Sequence, residues 1–319
     1  MKNAMLYYSV GALLYCPANN EGVADSIISE KFTKPYSLAL CLEDTIRDDC
    51  VLEAEEKLVL TLKTLSDARQ KKAFYLPKIF IRVRNAEQMI RLTSRLNLFM
   101  DVVTGYIVPK FSLENADSYI SSITCINETS AKPVYMMPIY ESSSIIDLRT
   151  RYDILYTLKE KLDRIEELIL NIRVGGNDLC HIFGFRRHSD ESIHQIRPIA
   201  NIFSDIITVY GMDYVISGPV WEYFNGTNWE HGLIKELTDD KLCGFTGKTV
   251  IHPNQIALVN ATYQVLQKDL DDAKAILSWD ETSHSLVSNS AGKERMNEYK
   301  THFNWAYQTI MLAKIFGTK

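Results

Sequence analysis

At 319 residues the chain can bury a large core, either as two domains or as one large α/β barrel. With 46% hydrophobic and 24% charged residues, its composition is that of a soluble globular protein. A net charge of −5 and the absence of a long Lys/Arg run exclude a general nucleic-acid binder, because no overall positive field draws in phosphates. No apolar run reaches the roughly 18–20 residues that a membrane helix needs.

From the N-terminus, MLYYSVGALLYCPA follows Lys2 and is apolar enough to be weighed as a secretion signal or lipoprotein site. The run is short, Tyr7, Tyr8 and Ser9 interrupt it, and bulky Tyr15 precedes Cys16 where a small residue is expected, so it reads as a first barrel strand. Eight strand-like runs follow one another: 12–17, 37–43, 78–84, 105–111, 133–141, 169–176, 213–219 and 248–253. Most are near-continuously apolar, as parallel strands covered on both faces should be. Amphipathic helices are expected between them at 51–70, 86–97 (capped by Asn85) and 145–168. The pattern predicts an α/β fold, a (β/α)₈ TIM barrel with a C-terminal helical appendage; an open doubly wound sheet is the competing architecture. The barrel is assigned to 1–278 and the extension to 279–319, where a polar, loop-like run precedes a last helix from about Glu298 to Ile315. The cysteines Cys16, Cys41, Cys50, Cys125, Cys180 and Cys243 are scattered and form no CxxC pair, which points to a reducing, cytoplasmic compartment.

In such a barrel the active site forms at the C-terminal strand ends. Glu43 and Asp44 end the second run, Lys110 the fourth, Glu141 the fifth, and Asp178 follows the sixth in GGNDL. The third run carries Arg82 and Arg84, two apart and on one face; His252 ends the eighth. Packed together, the acids would repel and their pKa values would rise, and a divalent cation removes that problem. Oxygen donors without a His/Cys cluster favour Mg²⁺ or Mn²⁺ over Zn²⁺. Each residue also has an ordinary reading. Glu43, Asp44 and Glu141 suit helix caps, GGND suits a turn, and His252 before Pro253 suits a structural role. Arg186 and Arg187 suit a solvated loop face, although a loop above the site could bind an anion. Arg82 inside an apolar strand is harder to dismiss, because an unpaired buried charge is costly.

CLEDTIRDD, FIRVRN, GYIVPKF, the YE pair at 140–141, VGGNDL and above all GFTGKTVIHPNQIALVN resemble the citrate lyase β-subunit-like group of the HpcH/HpaI aldolase superfamily. The matches run over about residues 11–278, and AGKERMN extends them weakly. The resemblance implies a Mg²⁺-dependent barrel, Mn²⁺ being an alternative ion, that makes or breaks C–C bonds beside a carboxylate. It also implies a homo-oligomer. On that likeness Glu141 and Asp178 would ligate the metal, Glu43 and Asp44 would hold its waters, and Arg82 would bind the enolate oxygen. Arg84 is a rival for the arginine role, because Arg82 stands three residues before Asn85 where the family's arginine stands two before. Arg84, Lys110, Arg186, Arg187, His252 and Asn297 are candidates for substrate binding. The chain departs from the family's pattern in four places. Cys41 replaces an acid. YSVGALLYCP lacks a basic lead-in, which leaves the use of coenzyme A open. The interval from Glu141 to Asp178 is long. Asn297 stands where an aspartate is usual, and an amide cannot act as general acid or base. The departures resemble those of a divergent branch, the C–C bond lyases of tellurite-resistance and stress operons. The expected function is a C–C lyase or aldolase acting on a small hydroxy- or keto-acid, or on an acyl-coenzyme A. Alternatives are a thioesterase-like or phosphoryl-handling enzyme on the same metal site, and a non-catalytic metabolite-binding barrel.

Overall fold

A computed structural model describes residues 4–279 and 285–319. Eight parallel strands form where the apolar runs predict them: β1 (Ala12–Pro17), β2 (Ser37–Cys41), β3 (Lys78–Arg82), β4 (Val103–Val108), β5 (Tyr135–Tyr140), β6 (Ile172–Val174), β7 (Ile216–Ser217) and β8 (Lys248–Val250). Each pairs with its neighbour in sequence as far as β7, and β8 returns to pair with β1, Ala12 opposite Lys248. An open doubly wound sheet would leave β1 and β8 apart, so that alternative is excluded. Closure between β7 and β8 is short: Gly218 lies opposite Lys248, and its N–H donates to Gly247 O at 3.0 Å.

The helices are α1 (Met5–Tyr8), α2 (Val23–Ile28), α3 (Val51–Lys71), α4 (Ala86–Leu96), α5 (Ala116–Thr129), α6 (Arg151–Asp163), α7 (Gly176–Phe183), α8 (Arg197–Tyr210), α9 (Trp229–Cys243), α10 (Asn254–Tyr263) and α11 (Gln267–Leu277). The N-terminal apolar run thus folds as a short helix followed by β1. Asn85 caps α4 as expected, its side chain accepting from Gln88 N at 2.8 Å. The single helix expected over 145–168 is instead broken into the 3₁₀ turn Ser143–Ile145, α6, and the 3₁₀ turn Glu166–Leu168. Arg151 explains the break: its guanidinium takes the carbonyls of Ile145 and Ile146 at 2.6 and 2.9 Å, groups a continuous helix would need for itself. Among the described residues, no helix is long and apolar enough to cross a membrane.

The two-residue period of a strand divides each run between two cores. Leu13, Ala39, Phe80, Ile107, Met137 and Ile139 pack together inside the barrel. Leu14, Leu38, Ile81, Tyr106, Met136 and Ile172 face the helices. The same alternation turns Tyr15, Cys41, Arg82, Glu141 and Arg173 inward. Beyond the barrel, the run read as polar loop contains an antiparallel hairpin, β9 (Val287–Asn289) with β10 (Met296–Glu298), although residues 280–284 of that run lie outside the described residues. The hairpin was not anticipated because its strands are three residues long and largely exposed, which leaves no alternation to read. The last helix, α12 (Tyr299–Phe316), packs on α11 through Ala273, Ile276 and Ala306.

Candidate active site at the barrel mouth

The strand ends bring Glu43, Asp44, Arg82, Lys110 and Glu141 into one cluster. Arg82 Nη2 lies 2.6 Å from Glu43 Oε2, 2.9 Å from Asp44 Oδ2 and 3.3 Å from Glu141 Oε1. Lys110 Nζ reaches Glu43 Oε1 at 2.6 Å and Asp44 Oδ1 at 3.2 Å. Its backbone N–H donates to Glu141 Oε1 at 3.0 Å. That geometry requires φ = +50° at Lys110, which L-residues adopt only when the surroundings hold them there. Asn115 supplies part of the hold by donating to Lys110 O at 2.9 Å.

Glu141 is almost fully buried. Its Oε2 is closely approached by the backbone of Gly175, where an added Cβ would lie 2.1 Å away. The glycine after β6 is therefore a contact with Glu141 rather than an ordinary turn residue. Asp178 follows in the first turn of α7. Burial pushes the Glu141 carboxyl up to about 8; Arg82 opposes the rise and Asp178 adds to it. Burial also raises Glu43, against Arg82 and Lys110. Asp44 is held low despite partial burial, by its bond with Glu43 and by the charges of Arg82 and Lys110.

Four acids (Glu43, Asp44, Glu141 and Asp178) therefore face two cations, so that full ionisation would leave two negative charges uncompensated. Among the described residues no three His, Cys, Asp or Glu side chains form a ready-made metal cage. A Mg²⁺ site does not need one, since that ion commonly takes one or two carboxylates and fills its shell with water and substrate oxygens. Glu141 and Asp178 fit such an ion in charge and donor type. Arg82 Nε is buried without a partner, so the guanidinium has unused donor capacity at the cluster.

The other candidates lie elsewhere. Arg84 braces the β2 exit, donating to Leu42 O at 2.7 Å, to Ile46 O, and to Asp48 Oδ1 at 2.5 Å, so of the two arginines only Arg82 enters the cluster. Arg187 is not on a solvated loop face but 3% exposed, paired through Nε with Glu236 Oε2 at 2.9 Å and lying over Trp221. Arg186 is exposed, 3.6 Å from Glu222, beside a cleft of about 350 Å³ next to α7. His252 stacks on Phe224 with ring centroids 4.7 Å apart, and its Nδ1 accepts from Asn254 N. Asn297 is buried in β10 and bonds Asp272 of α11 in the same chain. Sequence reasoning missed Tyr15, Arg173 and Gly175. The cost argument that singled out Arg82 applies equally to Arg173 within ILNIRVGG, and would have found it.

A family model described as C–C bond lyase of the TIM-barrel fold matches residues 4–318. The chain belongs to that family. It is similar to the citrate lyase subunit beta of Haemophilus influenzae, 39% identical over 54 residues, a stretch covering 17% of this chain and 19% of that protein. Among solved structures, a citrate lyase from Burkholderia xenovorans superposes with a TM-score of 0.72 at 13% identity, covering 97% of this chain and 93% of that one. The protein CitE from Mycobacterium tuberculosis, in complex with magnesium, acetoacetate and coenzyme A, gives 0.61 at 17% identity, covering 97% and 99%. At these identities the likeness to solved structures establishes the fold.

Proposed function

We propose that this C–C bond lyase family member is a Mg²⁺-dependent enzyme that cleaves or forms a C–C bond in a small hydroxy- or keto-acid. The observation that carries the reading is Glu141: buried against Gly175, pushed up to about 8, and beside Asp178 in a cluster whose acids outnumber its cations. Glu141 and Asp178 would hold the ion, which when bound supplies positive charge facing the substrate's carboxylate and neighbouring oxygen. Arg82 donates to the oxygen on which negative charge develops as the bond breaks, and its fixed position means little reorganisation at that moment. Glu43 and Asp44 hold Arg82 and Lys110 in place, and their carboxylate oxygens would accept hydrogen bonds from water near the ion. A magnesium complex with a small carboxylate in the M. tuberculosis relative supports the same chemistry here. A cytoplasmic location, supported by six unpaired cysteines, and a homo-oligomeric assembly belong to the same proposal.

Calorimetric titration of Mg²⁺, with and without oxalate, tests the reading. Mg²⁺ binding is expected, and oxalate should raise the melting temperature only when the metal is present. Absence of Mg²⁺ and Mn²⁺ binding, or full binding by Glu141→Ala, would sink it. Product analysis on hydroxy-acids, keto-acids and their coenzyme A thioesters separates C–C cleavage from thioester or phosphoryl hydrolysis.

A further inference from the structure

Two lumen residues take no part in the cluster described above. Tyr15 projects from β1 and Arg173 from β6, three strands apart around the closed barrel. Arg173 lies in register with Ile139, one inward-facing position below Glu141. It is 1% exposed and forms no ion pair among the described residues. Its guanidinium donates to Asn171 Oδ1 at 3.3 Å and Thr249 Oγ1 at 2.5 Å, and lies close enough to the Tyr15 phenol to interact with it directly. Arginine is donor-only, so the phenol oxygen accepts and its own proton points elsewhere. No hydrogen bond donated by the phenol is formed among the described residues, and Tyr15 is partly exposed, one inward-facing position below the level of Cys41 and Arg82. Arg82 lies over the ring, its Cζ 5.8 Å from the centroid.

We propose that Tyr15 is the proton donor of the reaction and that Arg173 is the residue that positions it. The proposal rests on the lyase reading above. In the step, the electron pair released by C–C cleavage forms a C–H bond with the hydroxyl proton of Tyr15, and the O–H pair stays on the phenol oxygen. The phenolate regains a proton from water, and the proton lost by the substrate's hydroxyl goes to water, so no oxidant or further reactant is required. Arg82 and Arg173 stabilise the phenolate, whereas burial, Cys41 and Glu141 oppose it. Burial prevails and pushes the phenol up to about 12, which keeps the donor protonated at neutral pH.

The test is hydrogen exchange into the methyl group of pyruvate, followed by NMR in D₂O with the full chain and Mg²⁺; the reverse of the proposed step removes one methyl proton. Tyr15→Phe should slow exchange at least 100-fold while the Kd for pyruvate changes less than threefold. Arg173→Gln should slow it about tenfold and shift the basic limb of the pH profile upward, with partial rescue by Arg173→Lys. Melting temperatures of both variants separate this result from misfolding. Exchange by Tyr15→Phe within threefold of wild type overturns the assignment and leaves the lyase reading intact. A wild-type protein that exchanges neither pyruvate nor oxaloacetate overturns the lyase reading, and the step assigned to Tyr15 with it.

Discussion

Two charge clusters sit on either side of the barrel wall, one buried throughout and one opening to solvent through Lys110 and Asp44, and they differ in balance. Behind β8, Lys248 Nζ lies 2.9 Å from Glu236 and 2.7 Å from Asp240, Arg187 pairs with Glu236, and His194 Nε2 sits 2.7 Å from Asp240. Every acid there has a cation, and Asp240 is held below its ordinary pKa: burial opposes this, but Lys248 and His194 prevail. At the mouth the acids outnumber the cations, and Glu141 is pushed up instead. A closed, balanced network holds elements together, here tying α9 and the loop carrying Arg187 to the barrel. An unbalanced one is built for an ion or substrate that arrives from outside.

The sharpest break of this comparison is Glu141→Gln. It should lower Mg²⁺ affinity at least 100-fold and activity about 1,000-fold, yet without metal it should not lower urea-unfolding stability and should raise it near neutral pH, because the ionised carboxylate it removes is disfavoured by the fold. A large loss of stability would place Glu141 with the structural network. Lys248→Met should do the reverse. It takes the shared cation from Glu236 and Asp240, leaving them only Arg187 and His194, and should cost about 3–5 kcal/mol, while the folded fraction binds Mg²⁺ normally.

The pH dependence should also differ in sign. Glu141 has a folded pKa raised from 4.5 to about 8, so without metal its contribution to stability is present below about 4.5 and is lost as pH rises towards 8. Added Mg²⁺ should cancel that decline, so the metal-induced gain in melting temperature should grow across this window and vanish in Glu141→Gln. Asp240 is depressed, so its contribution is present above its ordinary 3.8 and is lost as pH falls through the lower folded value. A metal-induced gain that stays flat between pH 5 and 8 would contradict the mouth's charge imbalance. Arg84→Ala should cost about 1–3 kcal/mol through lost carbonyl bonds at the β2 exit, with Mg²⁺ affinity changed only severalfold. The smallest effect is expected for Arg186→Ala, within about 0.5 kcal/mol, because its ion pair is exposed and long.

Much of the site was legible because strand ends and inward faces follow from local pattern. Glu43, Asp44, Lys110 and Glu141 each end a readable apolar run, and period-two alternation puts Arg82 inside. Arg187 was misread for the opposite reason. Its sequence neighbours in FRRHSDE are polar, but its partner Glu236 lies 49 residues away on α9. Asn297 was equally opaque, since the hairpin that buries it has too few residues to show a pattern.

The sequence by itself determined the eight strands, their order as a parallel barrel, and the edge on which chemistry would collect, because those depend on side-chain period and on residues near in the chain. Only the tertiary structure decided which charges meet. Lys110 and Glu43 are 67 residues apart, and Tyr15 and Arg173 project from strands that are not neighbours, β1 and β6. Closure of the sheet, β8 onto β1, brings such residues together, and no local preference encodes that distance.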